Sequence, residues 1–109
     1  MATINLSEQT YTLLQDPLLG DATLEIKILG LIEGALLHKL DQSRALDRTL
    51  AEKYTMSFAD FMERRTSVQY NASWEVENDA TEWQDAMADV AAIEERLAEI
   101  GSLLPAEEA

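Results

Sequence analysis

Apolar residues recur every three or four positions through most of this chain, and two stretches carry the pattern furthest. In the later one, Val76, Ala80, Trp83, Met87 and Val90 follow at steps of four, three, four and three. Ile93, Leu97, Ile100 and Leu104 continue a similar spacing, shifted by one position. Such steps gather side chains on one face of an α-helix. The spacing predicts a helix over Ser73 to Ile100, with no Pro or Gly inside it. Ser73 is the expected N-cap, Glu75, Glu77 and Asp79 suit the positive end of the helix dipole, and Gly101 is the expected stop. The face opposite the stripe is acidic, with Glu75, Asp79, Glu82, Asp85 and Asp89.

The earlier stretch runs from Ala22 to about Leu40. Leu24, Ile28, Leu31, Ile32, Ala35, Leu36 and Leu40 form a wide stripe, and Ile26, Leu29 and Leu37 fall outside its narrow version. The segment around Leu24 to Leu29 alternates like a strand, but the length of the whole run argues for a helix. A helix apolar on more than one face is buried centrally or at an oligomer interface. Residues 1–40 are therefore expected to be the oligomerisation half of a homodimer, with Leu24, Ile28, Leu31, Ile32 and Leu36 at the interface. Gly30 and Gly34 read as tolerated helix glycines, with close backbone approach as the alternative.

Shorter elements join these two. Ala2 to Leu6 reads as a short strand or an extended arm. Ser7 caps a helix from Glu8 to Gln15, Asp16-Pro17 stops it, and Asp21 is placed to cap the next one. Asp41-Gln42-Ser43 is either a break or a surface-facing continuation. Arg44 to Tyr54 is helical again, with Asp47 and the Arg48–Glu52 pair on a solvated face. Ser57 with Asp60 three residues later signals a short helix ending near Arg65. Thr66 to Ala72 reads as a polar loop, and the tail after Pro105 as frayed. The expectation is one all-α domain over residues 1–109, with two long helices and short connecting ones. Its core is expected from Leu24, Ile28, Leu31, Leu36, Leu50, Phe61, Trp83, Met87, Val90 and Leu97.

Composition narrows the function. The net charge is −13 over 109 residues, unevenly spread. Residues 73–109 hold eleven acids and one base, a net −10, while residues 1–72 hold ten acids and seven bases. Acidic surfaces repel nucleic acid and attract basic proteins. There is no Cys, which excludes disulfides and thiolate metal sites. No basic, apolar leader opens the chain, and the apolar run Ile28 to Leu37 is too short to span a bilayer. A soluble, cytoplasmic protein is expected.

Reactive chemistry is sparse. His38 is the only His, near the end of an apolar helix, where an ordinary surface His is common. No nucleophile–base set, Glu-x-x-His pair, phosphate-cradling glycine loop or calcium loop occurs. Glu75, Asp79 and Glu82 share a helix face, but ligands on one helix rarely surround an ion. No enzyme activity, cofactor or metal is expected. Trp is enriched at binding hot spots, so Trp74 and Phe58 are the candidate anchors, with Glu75, Asp79, Glu82 and Asp85 as steering charge. Trp83 lies on the apolar stripe and is assigned to the core, whereas Trp74 suits core or surface equally.

Two phrases carry a resemblance. Residues 51–65, AEKYTMSFADFMERR, and residues 73–83, SWEVENDATEW, look like the small acidic antitoxin components of type II toxin–antitoxin pairs. The resemblance covers the second half of the chain and implies neutralisation of a small, basic toxin by direct binding. The N-terminal half is similar in outline to a ribbon-helix-helix unit, which implies a DNA-binding regulator as the alternative. Against that, ATINL offers no Lys, Arg or Gln, and only Asn5 could read a base edge. A plain helical oligomerisation module is the third reading.

Overall fold

The structure, a computed structural model, describes residues 3–66 and 74–104. It is all-α: α1 spans Glu8–Leu14, a single 3₁₀ turn spans Pro17–Leu19, α2 spans Leu24–Tyr54, α3 spans Phe58–Thr66 and α4 spans Trp74–Leu103. Residues 3–6 precede α1 without regular structure, so of the strand and the extended arm that Ala2 to Leu6 allowed, no strand is formed over those described positions.

Local chemistry explains most boundaries. Ser7 Oγ accepts the Thr10 backbone N–H at 3.1 Å and starts α1. The Leu18 N–H donates to Asp16 Oδ1 at 2.9 Å, so the Asp16-Pro17 stop becomes the cap of the 3₁₀ turn. Gly20 follows with φ 86° and ψ −173°, a region open in practice to glycine alone. Thr23, not Asp21, caps α2, its Oγ1 facing the Ile26 N–H at 3.4 Å. Ser57 caps α3 as its spacing predicted, with the Asp60 N–H donating to Oγ at 3.2 Å.

Of the two readings of Asp41-Gln42-Ser43 the continuation holds: α2 runs unbroken for 31 residues, with Asp41 and Gln42 exposed and Ser43 buried. One expectation about the long helices is corrected. Gly101 does not stop α4, which continues to Leu103 with Gly101 in ordinary helical conformation. The helix ends just before Leu104, the residue preceding Pro105, where helical backbone is disfavoured. The expected N-cap Ser73, the loop up to Ala72 and the tail after Pro105 lie outside the described residues.

α2 and α4 pair antiparallel along their length. Lys53 meets Glu75 and Asp79, Asp47 meets Trp83, and Lys39 meets Asp89, so rising numbers on one helix pair with falling numbers on the other. The α2 side of the seam reads Leu36, Leu40, Ser43, Asp47, Leu50 and Tyr54, at alternating steps of four and three. The α4 side reads Val76, Asp79, Trp83, Ala86, Val90, Ile93, Leu97 and Ile100, at the same alternation. A 3.5-residue repeat on both helices is the pattern of coiled-coil packing.

The core is concentrated at one end. Leu50, Phe61, Ala80 and Trp83 form the buried cluster, with Phe61 and Trp83 fully enclosed. α3 closes this end, and rings of Tyr54, Phe58 and Phe61 surround Trp83 at centroid distances of 6.2, 5.5 and 5.1 Å. Such tilted and offset contacts suit the aromatic quadrupoles.

The opposite end is thin. Leu14 is the only buried residue of α1, and Lys27 Nζ, itself buried, donates to the Leu14 carbonyl at 2.8 Å. That bond satisfies an orphan carbonyl at the end of α1 and straps the short helix to α2. Of the ten expected core residues, Leu50, Phe61 and Trp83 are buried, and Leu24, Ile28, Leu36, Met87, Val90 and Leu97 are half-buried. Leu31 is corrected: it is 53% exposed, because α4 is the only long helix beside this part of α2 and Leu31 lines an open groove with Leu19 and Ala22. Ala80, Ala86, Ile93 and Ile100 take the enclosed positions of α4.

Candidate functional site

The site predicted from sequence was an acidic face of α4 with two aromatic anchors. The structure divides those residues between the surface and the packed interior. Trp74, the first residue of α4, is 82% exposed. Glu75, Glu82 and Asp85 are exposed along the same helix, and Asn78 Nδ2 donates to Glu82 Oε1 at 3.3 Å. These four residues remain on the surface, as a binding face requires.

Asp79 and Phe58 are employed elsewhere. Asp79 is buried, and its Oδ2 accepts from Lys53 Nζ at 2.6 Å and from Tyr54 Oη at 2.6 Å. Lys53 Nζ also donates to Glu75 Oε1 at 2.8 Å. Asp79 therefore ties α4 to the last turn of α2, and its placement on an outer acidic face is corrected. A carboxylate among apolar neighbours reads as solvated when only its own helix is considered. Phe58 is half-buried against Trp83, which makes its ring part of the core rather than a free anchor.

Burial and bonding shift the three groups of this cluster. Burial alone would raise the Asp79 carboxyl, but the hydrogen bonds from Lys53 and Tyr54 outweigh it and hold the group below the usual carboxylate range. The bond to Asp79, then that to Glu75, holds the Lys53 ammonium well above the usual lysine range. Burial, then the bond to Asp79, pushes the Tyr54 hydroxyl up to about 12.

A second polar contact lies one turn further along. The Trp83 indole N–H donates to Asp47 Oδ1 at 2.8 Å. Asp47, expected on a solvated face, instead fills a seam position and satisfies the one side-chain polar atom of the fully buried Trp83. Its spacing of seven from Leu40 and from Tyr54 was the signal available in the sequence. Exposed pairs Arg44–Glu94 at 3.2 Å and Lys39–Asp89 at 3.8 Å flank the seam.

Between the helices, Lys39, Ser43, Glu82, Asp85 and Asp89 border an open cleft of about 290 Å³. Lys39 neutralises part of that acidity through Asp89. Among the described residues no three His, Cys, Asp or Glu side chains are grouped to hold a metal ion. Among those residues, too, no helix is long and apolar enough to cross a membrane.

The residues expected at an oligomer interface also separate. Leu31 and Ile32 are exposed, at 53% and 45%, whereas Leu24, Ile28 and Leu36 are half-covered by the chain itself. No protein-family model, no curated protein and no solved structure matches this chain.

Proposed function

We propose that this chain is a non-enzymatic protein-binding module whose acidic end holds a small basic protein, in the manner of an antitoxin component. The observation that carries the reading is Trp74: a large aromatic side chain 82% exposed at the start of α4, beside the exposed carboxylates of Glu75, Glu82 and Asp85. An isolated tryptophan on a soluble surface loses apolar burial that a partner would restore. The net −10 of residues 73–109 steers a basic partner toward it. The polar cluster of Lys53, Tyr54 and Asp79 supports the reading by fixing the base of α4, so the face is pre-organised.

Because α4 supplies Trp83 and Ala80 to the core, the binding test uses point substitutions rather than removal of the helix. Tagged chain is used to capture proteins from the extract of its native cells. A basic partner is expected that elutes with rising salt. Trp74→Ala should weaken its retention by about 2 kcal/mol, roughly thirtyfold. Capture of no basic protein, or retention that Trp74→Ala and salt both leave unchanged, would defeat the reading.

A further inference from the structure

The apolar surface at the thin end belongs to neither the core nor the acidic face. Among the described residues, nine of the eleven exposed large hydrophobic side chains fall between Ile4 and Leu37. Three lie on α2 itself, namely Leu31, Ile32 and Leu37. Leu31 also lines, with Leu19, Ala22, Ile26, Lys27 and Gly30, a groove of about 250 Å³. Gly30 and Gly34 are exposed one helical turn apart, and a Cβ built on either meets nothing within 4 Å.

We propose that a second copy of this chain seats on that surface, with the two α2 helices crossing at Gly30 and Gly34. Three observations select this occupant. The first is area. The chain exposes 8374 Å², against roughly 6,100 Å² expected for a compact protein of its mass. That excess of roughly 2,300 Å² belongs to the whole elongated chain and is comparable with what each partner buries in a large homodimer interface; the exposed large hydrophobic side chains within it lie mostly between Ile4 and Leu37. The radius of gyration, 19.9 Å, compares with about 13 Å for a compact chain of this length.

The second is self-complementarity. Groove and ridge sit along one helix: the groove runs from Leu19 to Leu31, and the exposed Leu37 stands two turns beyond Gly30 on the same helical face. A two-fold axis near Gly34 sets each ridge against the other copy's groove, as an isologous interface demands. The glycines let the two backbones approach closely at the crossing point.

The third is charge. No carboxylate lines the groove, so nothing there steers a basic protein. Residues 1–40 hold five acids and two bases, a net −3, against −10 for residues 73–109. The exposed glycines and Leu31 face away from the seam with α4, so two copies meeting there repel each other less than they would through their acidic ends. This pairing is independent of the partner proposed for Trp74, and either can fail without the other.

The test is sedimentation equilibrium of the full chain at tens of micromolar, with circular dichroism to verify folding. The wild type is expected at twice the chain mass of 12.2 kDa. Leu31→Lys should weaken self-association by about a hundredfold, since it buries an unpaired charge at the crossing. Leu37→Glu, on the flank of the same surface, gives the same outcome should Leu31→Lys fail to fold. Ala88→Lys, on the exposed side of α4, should leave the mass doubled. The chain has no Cys, so Gly34→Cys introduces a lone thiol, expected to link two copies under mild oxidation. A monomeric wild type, or a dimer that survives both charged substitutions, overturns the proposal. A dimer that does not cross-link through Gly34→Cys overturns the crossing point.

Discussion

Asp79 shows how one side chain can change meaning between a helix and a fold. It collects Lys53 and Tyr54 from the end of α2, and removing it breaks both of these hydrogen bonds. Asp79→Ala is expected to cost about 1–3 kcal/mol, read as a lower urea midpoint with unchanged slope. Stability should also bend with pH. Tyr54 is raised to about 12 in the folded state. A raised value means that its contribution is whole below the ordinary tyrosine value of about 10 and is lost as pH climbs above it. Lys53 is raised as well, so its share is lost in the same direction. Asp79 is lowered, so its share is whole above an ordinary carboxylate value of about 4 and is lost as pH falls below that. The unfolding temperature should therefore hold steady through neutrality and drop beyond about pH 10. In Asp79→Asn the alkaline drop should shrink; an unchanged drop would remove these three groups from the explanation. Thr55 offers a converse case. It ends α2 with φ 56° and ψ 42°, a left-handed conformation that suits β-branched residues poorly. Thr55→Gly should stabilise the protein by about 0.5–1 kcal/mol, measured in the same denaturant titration.

At the level of elements, the helices were legible because their periodicity is long and their caps are conventional. Ser7 and Ser57 cap as their spacing implied. What periodicity hid was the seam. Ser43 and Asp47 occupy seam positions with polar side chains, so they interrupt the apolar stripe that sequence reading follows. Their partners lie far along the chain, Asp47 and Trp83 being 36 residues apart, and no local pattern reports such a pair. Leu31 failed in the opposite sense. It lies on an apolar face as wide as that of a core helix, but only one long helix covers α2 there. The candidate site divided likewise: Trp74 is exposed where the sequence allowed either outcome, and Phe58 is held by Trp83, which nothing local to α3 announces. The seam makes a prediction of its own. Asp47→Leu leaves the Trp83 indole N–H buried without an acceptor and should cost about 1–3 kcal/mol, although it makes the stripe more apolar. A gain in stability would contradict the assigned role of that hydrogen bond. The Lys27 strap can be tested similarly: Lys27→Met should free α1, seen as faster amide exchange confined to Glu8–Leu14.

Across the whole molecule, the same chain presents two unlike ends. One is closed by aromatic packing around Trp83 and presents Trp74 among carboxylates. The other is thin and apolar, and is the surface proposed for a second copy. Extents of 57 × 34 × 28 Å keep these surfaces apart. A dimer formed at the thin end would carry two outward-facing acidic ends, so one assembly could hold two basic partners. The most direct measurement of the central claim is the kinetics of one captured partner on the immobilised chain at low and high salt. Glu82→Gln with Asp85→Asn should slow association and flatten its salt dependence, with little change in dissociation. Trp74→Ala should instead speed dissociation about thirtyfold and leave association nearly unchanged. Rates untouched by either change would contradict binding through the acidic end of α4.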